Sequence, residues 1–157
     1  MAKFKTNVMR LLDGAKINYH DYCYVDSGVV SGTEVAAVLG EPADRVFKTL
    51  VTEGAGKAHY VFVIPSDKEL DLKKAAKTVG EKSIAMLKSK ELLPLTGYIH
   101  GGCSPIGMKK FFRTTLDISA ENKETIFISA GKVGYQVELS PGDLAKMINF
   151  EYADITV

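Results

Sequence analysis

The chain has 157 residues, enough for one domain with one sizeable hydrophobic core. Its 20 basic and 19 acidic residues leave a net charge of +1, which excludes a protein that coats DNA or long RNA through many phosphate contacts. Contact with only the end of a nucleic acid remains compatible with this charge. No segment approaches the run of about 20 apolar residues that crosses a bilayer, so we expect a cytoplasmic protein without a membrane partner.

The first predicted element is a short amphipathic helix near the N-terminus, with Thr6 as its cap. Its apolar stripe is predicted to contain Val8, Leu11, Leu12 and Ala15. Residues 17–24 are rich in strand formers. A second helix is predicted before Gly40, because Ser31 and Glu34 have the spacing of a capping box and glycine commonly ends a helix.

A hairpin and a further helix follow in the sequence. Residues 46–52 and 58–64 are predicted to be two strands, joined by a turn that contains Gly54 and Gly56. The next helix is predicted from Leu72 to Val79, with Asp71 near its start and Gly80 just after its end.

The second half mixes strands and helices again. A strand is predicted near Tyr98–His100, and antiparallel strands with glycine turns are predicted at Phe111–Leu116, Thr125–Ser129 and Tyr135–Leu139. Ser140 and Pro141 are typical of a helix start, as a cap followed by a first-turn proline. Because helices and hairpins interleave irregularly, we expect a single domain over residues 1–157 with a mixed α/β sheet rather than a doubly wound one.

Lys48 is the most informative residue for function. Side chains alternate along a strand, so Lys48 shares one face with Val46 and Leu50, and both faces of this strand are otherwise largely apolar. A lysine in such a setting needs an anionic partner, a ligand or a lowered pKa. The alternative is a lysine near a strand end whose ammonium group reaches water.

The loop Gly101-Gly102-Cys103-Ser104-Pro105 is the second candidate for function. Two glycines let the backbone approach a ligand closely and leave N–H groups that can point at an oxyanion or a phosphate. A plain surface turn is the alternative, and the GxxxP pattern is a weak signal by itself.

The residues support neither a metal site nor covalent catalysis. Cys23 and Cys103 form no CxxC pair, so we expect reduced thiols. The three histidines have no spacing suited to a metal site, and no metal or cofactor is predicted. Cys103 has no base nearby in the sequence, and neither Ser104 nor Ser129 lies in a nucleophile elbow.

Lysines are crowded into the middle third of the chain: Lys68, Lys73, Lys74, Lys77, Lys82, Lys88 and Lys90. A solvated helix face is the simpler explanation for this run, and contact with the end of a nucleic acid is the alternative.

The chain resembles the YbaK/EbsC family of aminoacyl-tRNA deacylases in blocks that follow the family's order: VFKTLV around Lys48, LDLKKAAKTVG, GYIHGGCSPIGMKK and ISAGKVGYQVELSPGDLAKM. The resemblance covers nearly the whole chain. It implies a mixed, partly closed β-sheet or barrel with surrounding helices, a fold that also occurs as the editing insertion of bacterial prolyl-tRNA synthetases. It also implies hydrolysis of the ester between an amino acid and the terminal adenosine of tRNA. The first expected substrate is cysteine on the tRNA for proline, and prolyl-tRNA synthetase is an expected partner.

The same resemblance implies which residues form the site. Lys48 matches a key lysine near the terminal nucleotide, while Gly101 and Gly102 belong to a loop that holds the aminoacyl end through its backbone. Further substrate contacts are expected from Tyr24, Ser31, Cys103, Ser104, Pro105, Ser129, Gly131, Lys132 and Gln136. In cysteine-specific relatives the substrate thiol attacks its own carbonyl, so an enzymic nucleophile is unnecessary, and positioning with oxyanion stabilisation supplies the rate.

Two positions depart from the cysteine-specific pattern of the family. Ser31 stands where those relatives have a bulky aromatic residue, and Gln136 stands where they have an acidic one. A smaller side chain changes the pocket volume, and losing the contact of one methylene shifts discrimination by about 1–3 kcal/mol. A deacylase for another small amino acid such as alanine therefore remains an alternative, as does a non-catalytic module that binds tRNA or a nucleotide.

Overall fold

Helices and strands alternate irregularly along the chain, as the sequence predicts. The computed structural model describes residues 4–157. Its α-helices are α1 (Asn7–Gly14), α2 (Gly32–Leu39), α3 (Leu72–Val79), α4 (Ser89–Thr96) and α5 (Pro141–Met147). Its strands are β1 (His20–Cys23), β2 (Phe47–Gly54), β3 (His59–Pro65), β4 (Ile84–Met86), β5 (Arg113–Asp117), β6 (Ile126–Ser129), β7 (Tyr135–Leu139) and β8 (Glu151–Ala153). The mixed α/β fold class is confirmed. No helix in residues 4–157 is both long enough and apolar enough to cross a membrane.

The helix starts follow local signals in the sequence. Three predicted caps each accept a hydrogen bond from a backbone N–H in the first turn of their helix: Thr6, Ser31 and Ser140. Asp71, predicted only to lie near the start of its helix, caps α3 in the same way. α2 and α3 end at Gly40 and Gly80, whose φ angles of 71° and 76° lie in the left-handed region that favours glycine. These boundaries are decided by a few neighbouring residues, and the predictions are confirmed there.

Two sheets make up the β-structure. The larger has the strand order β4-β2-β3-β5-β8, and the smaller is antiparallel with the order β1-β7-β6. β2 and β3 form the predicted antiparallel hairpin. The prediction that the strand at 111–116 is antiparallel is wrong, because β5 runs parallel to both β3 and β8. The long connection through α3 and α4 returns the chain in the same direction, as crossovers between parallel strands do.

The predicted strand at Tyr98–His100 is also wrong. These residues form the turn after α4, where Tyr98 is buried and its hydroxyl donates to the Ile106 carbonyl at 2.5 Å. α4 itself was not predicted, because Pro94 lies inside it and proline is disfavoured in a helix interior. β4 and β8 were missed as well, since each has three residues and depends on pairing with a neighbouring strand.

The larger sheet is covered on both faces. One hydrophobic cluster joins α1 to β2, β3 and the smaller sheet, and a second packs α3 against Phe62 and Ile64 of β3. In α1, Val8 and Leu12 are buried as predicted, whereas Leu11 and Ala15 are exposed and Met9 is buried instead. The buried face of α1 thus has three residues, Val8, Met9 and Leu12, instead of the four predicted.

The two sheets meet at the start of β2. An isolated parallel bridge joins Val46 to Phe127 of β6, and both residues are buried in a third cluster with Tyr24, Val35 and Ala36. Within residues 4–157 the strands do not close into a continuous barrel. The join leaves part of β2 without a neighbouring strand, and the candidate site lies there.

Candidate active site

The first half of β2 has an open edge that lines a cleft. β3 pairs with β2 along its whole length, but β4 pairs only with the last three residues, Thr52–Gly54. The segment from Val46 to Val51 therefore borders a cavity of about 460 Å³. Other walls come from the start of α2, the segment 86–92 around the start of α4, the loop at Gly101, and the ends of the smaller sheet.

Lys48 lies on this open edge and lines the cleft. It is half-buried, and its neighbours Val46 and Phe47 are each 2% exposed. Lys48 forms neither an ion pair nor a side-chain hydrogen bond with any residue in the range 4–157. An anionic protein partner was one of the explanations that the sequence left open for this lysine. The described residues contain none, so the ammonium group is free to bind a ligand.

The predicted loop at Gly101 borders the same cleft as Lys48. Gly101 has φ = 87°, and a Cβ at this position would lie 2.5 Å from Cγ1 of Val30, so only glycine fits. The N–H groups of Gly101 and Cys103 make no hydrogen bond with residues 4–157. By contrast, the Gly102 N–H donates to the Ile99 carbonyl at 3.0 Å, so this amide is not free for a substrate as predicted.

Cys103 contributes a protonated thiol to the wall of the cleft. Burial raises the pKa of this thiol from 9.0 to about 12. The next two loop residues, Ser104 and Pro105, are buried, and the Ser104 hydroxyl accepts the Ile106 N–H at 3.3 Å. Neither of the two lies in the cleft wall, so the substrate contact predicted for them stays a prediction.

Gln136 on β7 brings an unpaired acceptor to the cleft. The residue is 6% exposed, and its Nε2 donates to the hydroxyl of Tyr24 at 3.3 Å. Its carbonyl oxygen Oε1 is buried and has no hydrogen-bond partner in residues 4–157. Tyr24 lies behind Gln136 and outside the cleft wall, where burial raises its pKa. Tyr24 therefore contacts a residue of the cleft wall through this hydrogen bond.

Thr49 is a site residue that the sequence did not predict. It lines the cleft next to Lys48, and its hydroxyl oxygen is buried without a hydrogen-bond partner in the described range 4–157. The signal was present, since Thr49 is a polar residue between Phe47 and Val51 on an otherwise apolar strand face. The Thr49 hydroxyl is therefore a second buried polar atom of the cleft residues without a partner in residues 4–157, beside Oε1 of Gln136.

The remaining predicted residues divide into two groups. Ser31 and Ser129 line the cleft; Ser31 caps α2, and the Ser129 hydroxyl accepts the Gly131 N–H at 3.1 Å. Gly131 and Lys132 lie outside the cleft wall. Gly131 packs where a Cβ would overlap the core, and Lys132 places its ammonium 4.6 Å from the centre of the Phe4 ring. The substrate contact predicted for Gly131 and Lys132 therefore stays a prediction.

The wall of this cleft includes Lys48, the loop residues Gly101 and Cys103, whose N–H groups lack a partner in residues 4–157, and the buried, unpaired oxygens of Thr49 and Gln136. Within residues 4–157 no group of three His, Cys, Asp or Glu side chains could hold a metal ion. Such a set can bind an anion, stabilise a developing oxyanion and accept hydrogen bonds from an ammonium group.

Residues 26–147 match the model of the aminoacyl-tRNA editing domain family. The chain belongs to this family. Over 97% of its length it is 47% identical to EbsC of Enterococcus faecalis, named as a candidate Cys-tRNA(Pro)/Cys-tRNA(Cys) deacylase, and it covers 93% of that protein. This editing-family chain is also 30% identical to a proline–tRNA ligase of Shouchella clausii. The match covers 69% of this chain and 19% of the ligase.

The same fold is found in solved structures of related shape. One is the crystal structure of a candidate trans-editing enzyme for prolyl-tRNA synthetase, with a TM-score of 0.82 and 21% identity over 98% of this chain and 99% of that one. At this identity the likeness concerns the fold alone. Membership of the editing family confirms the prediction that the chain is an enzyme that hydrolyses aminoacyl-tRNA.

Proposed function

We propose that this editing enzyme acts in trans in the cytoplasm and removes cysteine from tRNA for proline. The observation that carries the proposal is the shared cleft of Lys48, Gly101 and Cys103. The Lys48 ammonium group and the N–H groups of the other two residues have no partner in residues 4–157. The name of the Enterococcus relative, at 47% identity, supports cysteine as the amino acid. The likeness to proline–tRNA ligases supports proline tRNA as the carrier and the synthetase as a partner.

Lys48 binds the anionic end of the substrate in this proposal. The terminal phosphate is the group of aminoacyl-tRNA that needs a cation, and Lys48 is a cation in the cleft wall without a protein partner in residues 4–157. Its neighbours Val46 and Phe47 are buried, so the charge is held at the cleft and its orientation is restricted. Holding the nucleotide in one place orients the ester next to it.

The free N–H groups of Gly101 and Cys103 stabilise the oxyanion. Charge develops on the carbonyl oxygen when the ester is attacked, and backbone donors held rigidly in a dry cleft favour that state. The positive φ of Gly101 and its contact with Val30 fix the direction of the loop. Gly102 contributes to the rigidity through its hydrogen bond to Ile99.

Gln136 and Thr49 accept hydrogen bonds from the substrate's α-ammonium group. Both oxygens are buried in the cleft wall without a partner in residues 4–157, and an ammonium group offers three donors. A neutral amide in this place binds the amine without forming a buried ion pair.

The substrate supplies the nucleophile. The sulfur of the cysteinyl group attacks its own carbonyl carbon, the bond to the ribose oxygen breaks, and that oxygen takes the thiol proton. The product is a thiolactone, which water then opens to cysteine. Cys103 takes no part in this chemistry, because burial raises the pKa of its thiol to about 12 and keeps it protonated.

Single-turnover deacylation of a panel of tRNAs tests the proposal. Cysteinyl, seryl, alanyl and prolyl esters on tRNA for proline are each compared with a reaction without enzyme. We expect rapid release of cysteine and much slower release of serine, since a hydroxyl is a weaker nucleophile than a thiol of nearly the same size. Equal rates for cysteine and serine would show that water attacks directly, and no release from any ester would refute the function.

A further inference from the structure

The segment 82–112 carries most of the uncompensated positive charge of the chain. It contains five lysines and a single acidic residue, Glu91, while the rest of the chain has 15 basic and 18 acidic residues. The net charge of +1 is therefore the sum of a positively charged segment 82–112 and a negatively charged remainder. Three of these lysines lie along α4, and we call them the α4 lysine patch: Lys88, Lys90 and Lys109.

The α4 lysine patch is exposed, and its charges are not paired. None of its lysines forms an ion pair with a residue in the range 4–157, and all are solvent-exposed. Elsewhere, Lys74 pairs with Asp154 and Lys123 with Asp44. The lysines of the patch are thus exposed to solvent, whereas Lys48 in the cleft is half-buried.

The patch begins at the mouth of the cleft. Ser89, between Lys88 and Lys90, lines the cleft together with Leu92. At the other end of α4, the Lys109 N–H donates to the carbonyl of Thr96, the last residue of the helix. Eight residues of α-helix are about 12 Å long, so the patch spans about that distance along α4, and both the start of this helix and the loop after its end line the cleft.

We infer that the α4 lysine patch binds the phosphates of the acceptor arm of the tRNA whose 3′ end occupies the cleft. This inference rests on the proposed function. A polyanion matches exposed, unpaired lysines at both ends of α4, and 12 Å corresponds to about three or four base-pair steps of 3.4 Å along a duplex. Phosphate contacts position a nucleic acid but carry no sequence information, so the patch accepts any tRNA and leaves identity to another factor.

The test compares two triple variants. One removes the three charges of the α4 lysine patch, and the control removes three lysine charges on α3 and in the turn before it. The patch variant is Lys88→Ala/Lys90→Ala/Lys109→Ala. The control is Lys68→Ala/Lys73→Ala/Lys77→Ala, which removes exposed lysines that line no part of the cleft. Each variant is assayed on Cys-tRNA(Pro), on a cysteinylated CCA trinucleotide, and for binding of uncharged tRNA at several salt concentrations.

We expect the patch variant to raise KM for Cys-tRNA(Pro) roughly tenfold or more at 0.1 M salt and to leave kcat unchanged. The slope of log affinity against log salt should fall by about two, because each lost phosphate contact removes about 0.7–0.9. Turnover of the trinucleotide should not change, and the control variant should behave like the wild type in every assay.

Three results would overturn the inference about the patch. One is an equal rise of KM with the control variant, and another is an equal loss on the trinucleotide. The third is an effect of the patch variant seen only when prolyl-tRNA synthetase is added, which would assign the patch to a protein partner. Failure of the wild type to deacylate either substrate would instead refute the proposed function, and the binding of uncharged tRNA would still test the patch.

Discussion

The side-chain amide of Gln136 donates a hydrogen bond to the hydroxyl of Tyr24 at 3.3 Å, while its carbonyl oxygen stays buried at the cleft without a partner in residues 4–157. Gln136 lies in β7 and Tyr24 directly follows β1, 112 positions away in the sequence. One contact thus fixes the orientation of an amide whose other end is an unpaired oxygen of a residue in the cleft wall.

Replacing Gln136 by methionine tests this arrangement. Gln136→Met keeps the length of the side chain and removes the acceptor, so kcat/KM for Cys-tRNA(Pro) should fall about tenfold or more, since hydrogen bonds to charged groups contribute about 1.5–3 kcal/mol. Tyr24→Phe should have a smaller effect of the same sign. N-acetylcysteinyl-tRNA lacks the ammonium group, and on it the Gln136→Met variant should match the wild type. An equal loss on both substrates would contradict the assignment.

Lys48→Ala should reduce the single-turnover rate by a hundredfold or more, equivalent to about 2.7 kcal/mol. The free energy of unfolding should change little, because Lys48 has no ion-pair or hydrogen-bond partner in residues 4–157. Urea titration measures the second quantity beside the rate. Lys123→Ala is a control with a partner, the Asp44 carboxylate 3.6 Å away, and it should leave the rate unchanged. Near-normal turnover by folded Lys48→Ala would exclude its role.

Gly101→Ala should impair both folding and activity. The φ of 87° costs a residue with a side chain about 1–3 kcal/mol, and the added Cβ would overlap Cγ1 of Val30. In a Val30→Ala background the overlap disappears while the backbone strain stays, so part of the loss should be recovered. Gly14→Ala is a matched control, because a Cβ at Gly14 meets no atom within 4 Å. Equal stability of the two alanine variants would contradict the geometry.

The two thiols should differ in reactivity at neutral pH. Cys23 is exposed, whereas burial raises the pKa of the Cys103 thiol to about 12. Iodoacetamide at pH 7.5 should therefore modify Cys23 and leave Cys103 intact, as mass spectrometry of digested protein will show, and the activity should survive. Rapid alkylation of Cys103 in the folded protein would mean that its thiolate is accessible and would reopen covalent catalysis.

The raised pKa of Cys103 also predicts a dependence of stability on pH. The unfolded chain releases this proton near the ordinary pKa of 9.0, and the folded chain releases it only near 12. The stabilising contribution is therefore complete below pH 9 and is lost as the pH rises toward 12. Urea titrations at pH 7 and pH 10 should show a smaller decrease in the free energy of unfolding for Cys103→Ser than for the wild type.

The sequence by itself determined the features that depend on a few neighbouring residues. Local hydrogen bonding and turn chemistry decide the caps at Thr6, Ser31 and Ser140, the start of α3 near Asp71 and the hairpin of β2 and β3, and these were predicted where they occur. Lys48 and Gly101 were also found from the sequence, because a charge on an apolar strand and a pair of glycines in a loop stand out locally.

Only the tertiary structure decided which groups meet. It placed β5 parallel to β3 and brought the start of α4 to the cleft. It also made Tyr98–His100 part of a turn and not a strand. It used the Gly102 N–H within the loop and left the Thr49 hydroxyl without a partner in residues 4–157. These outcomes depend on residues far apart in the chain, since strand pairing and the satisfaction of buried polar groups are settled by whatever segment packs alongside.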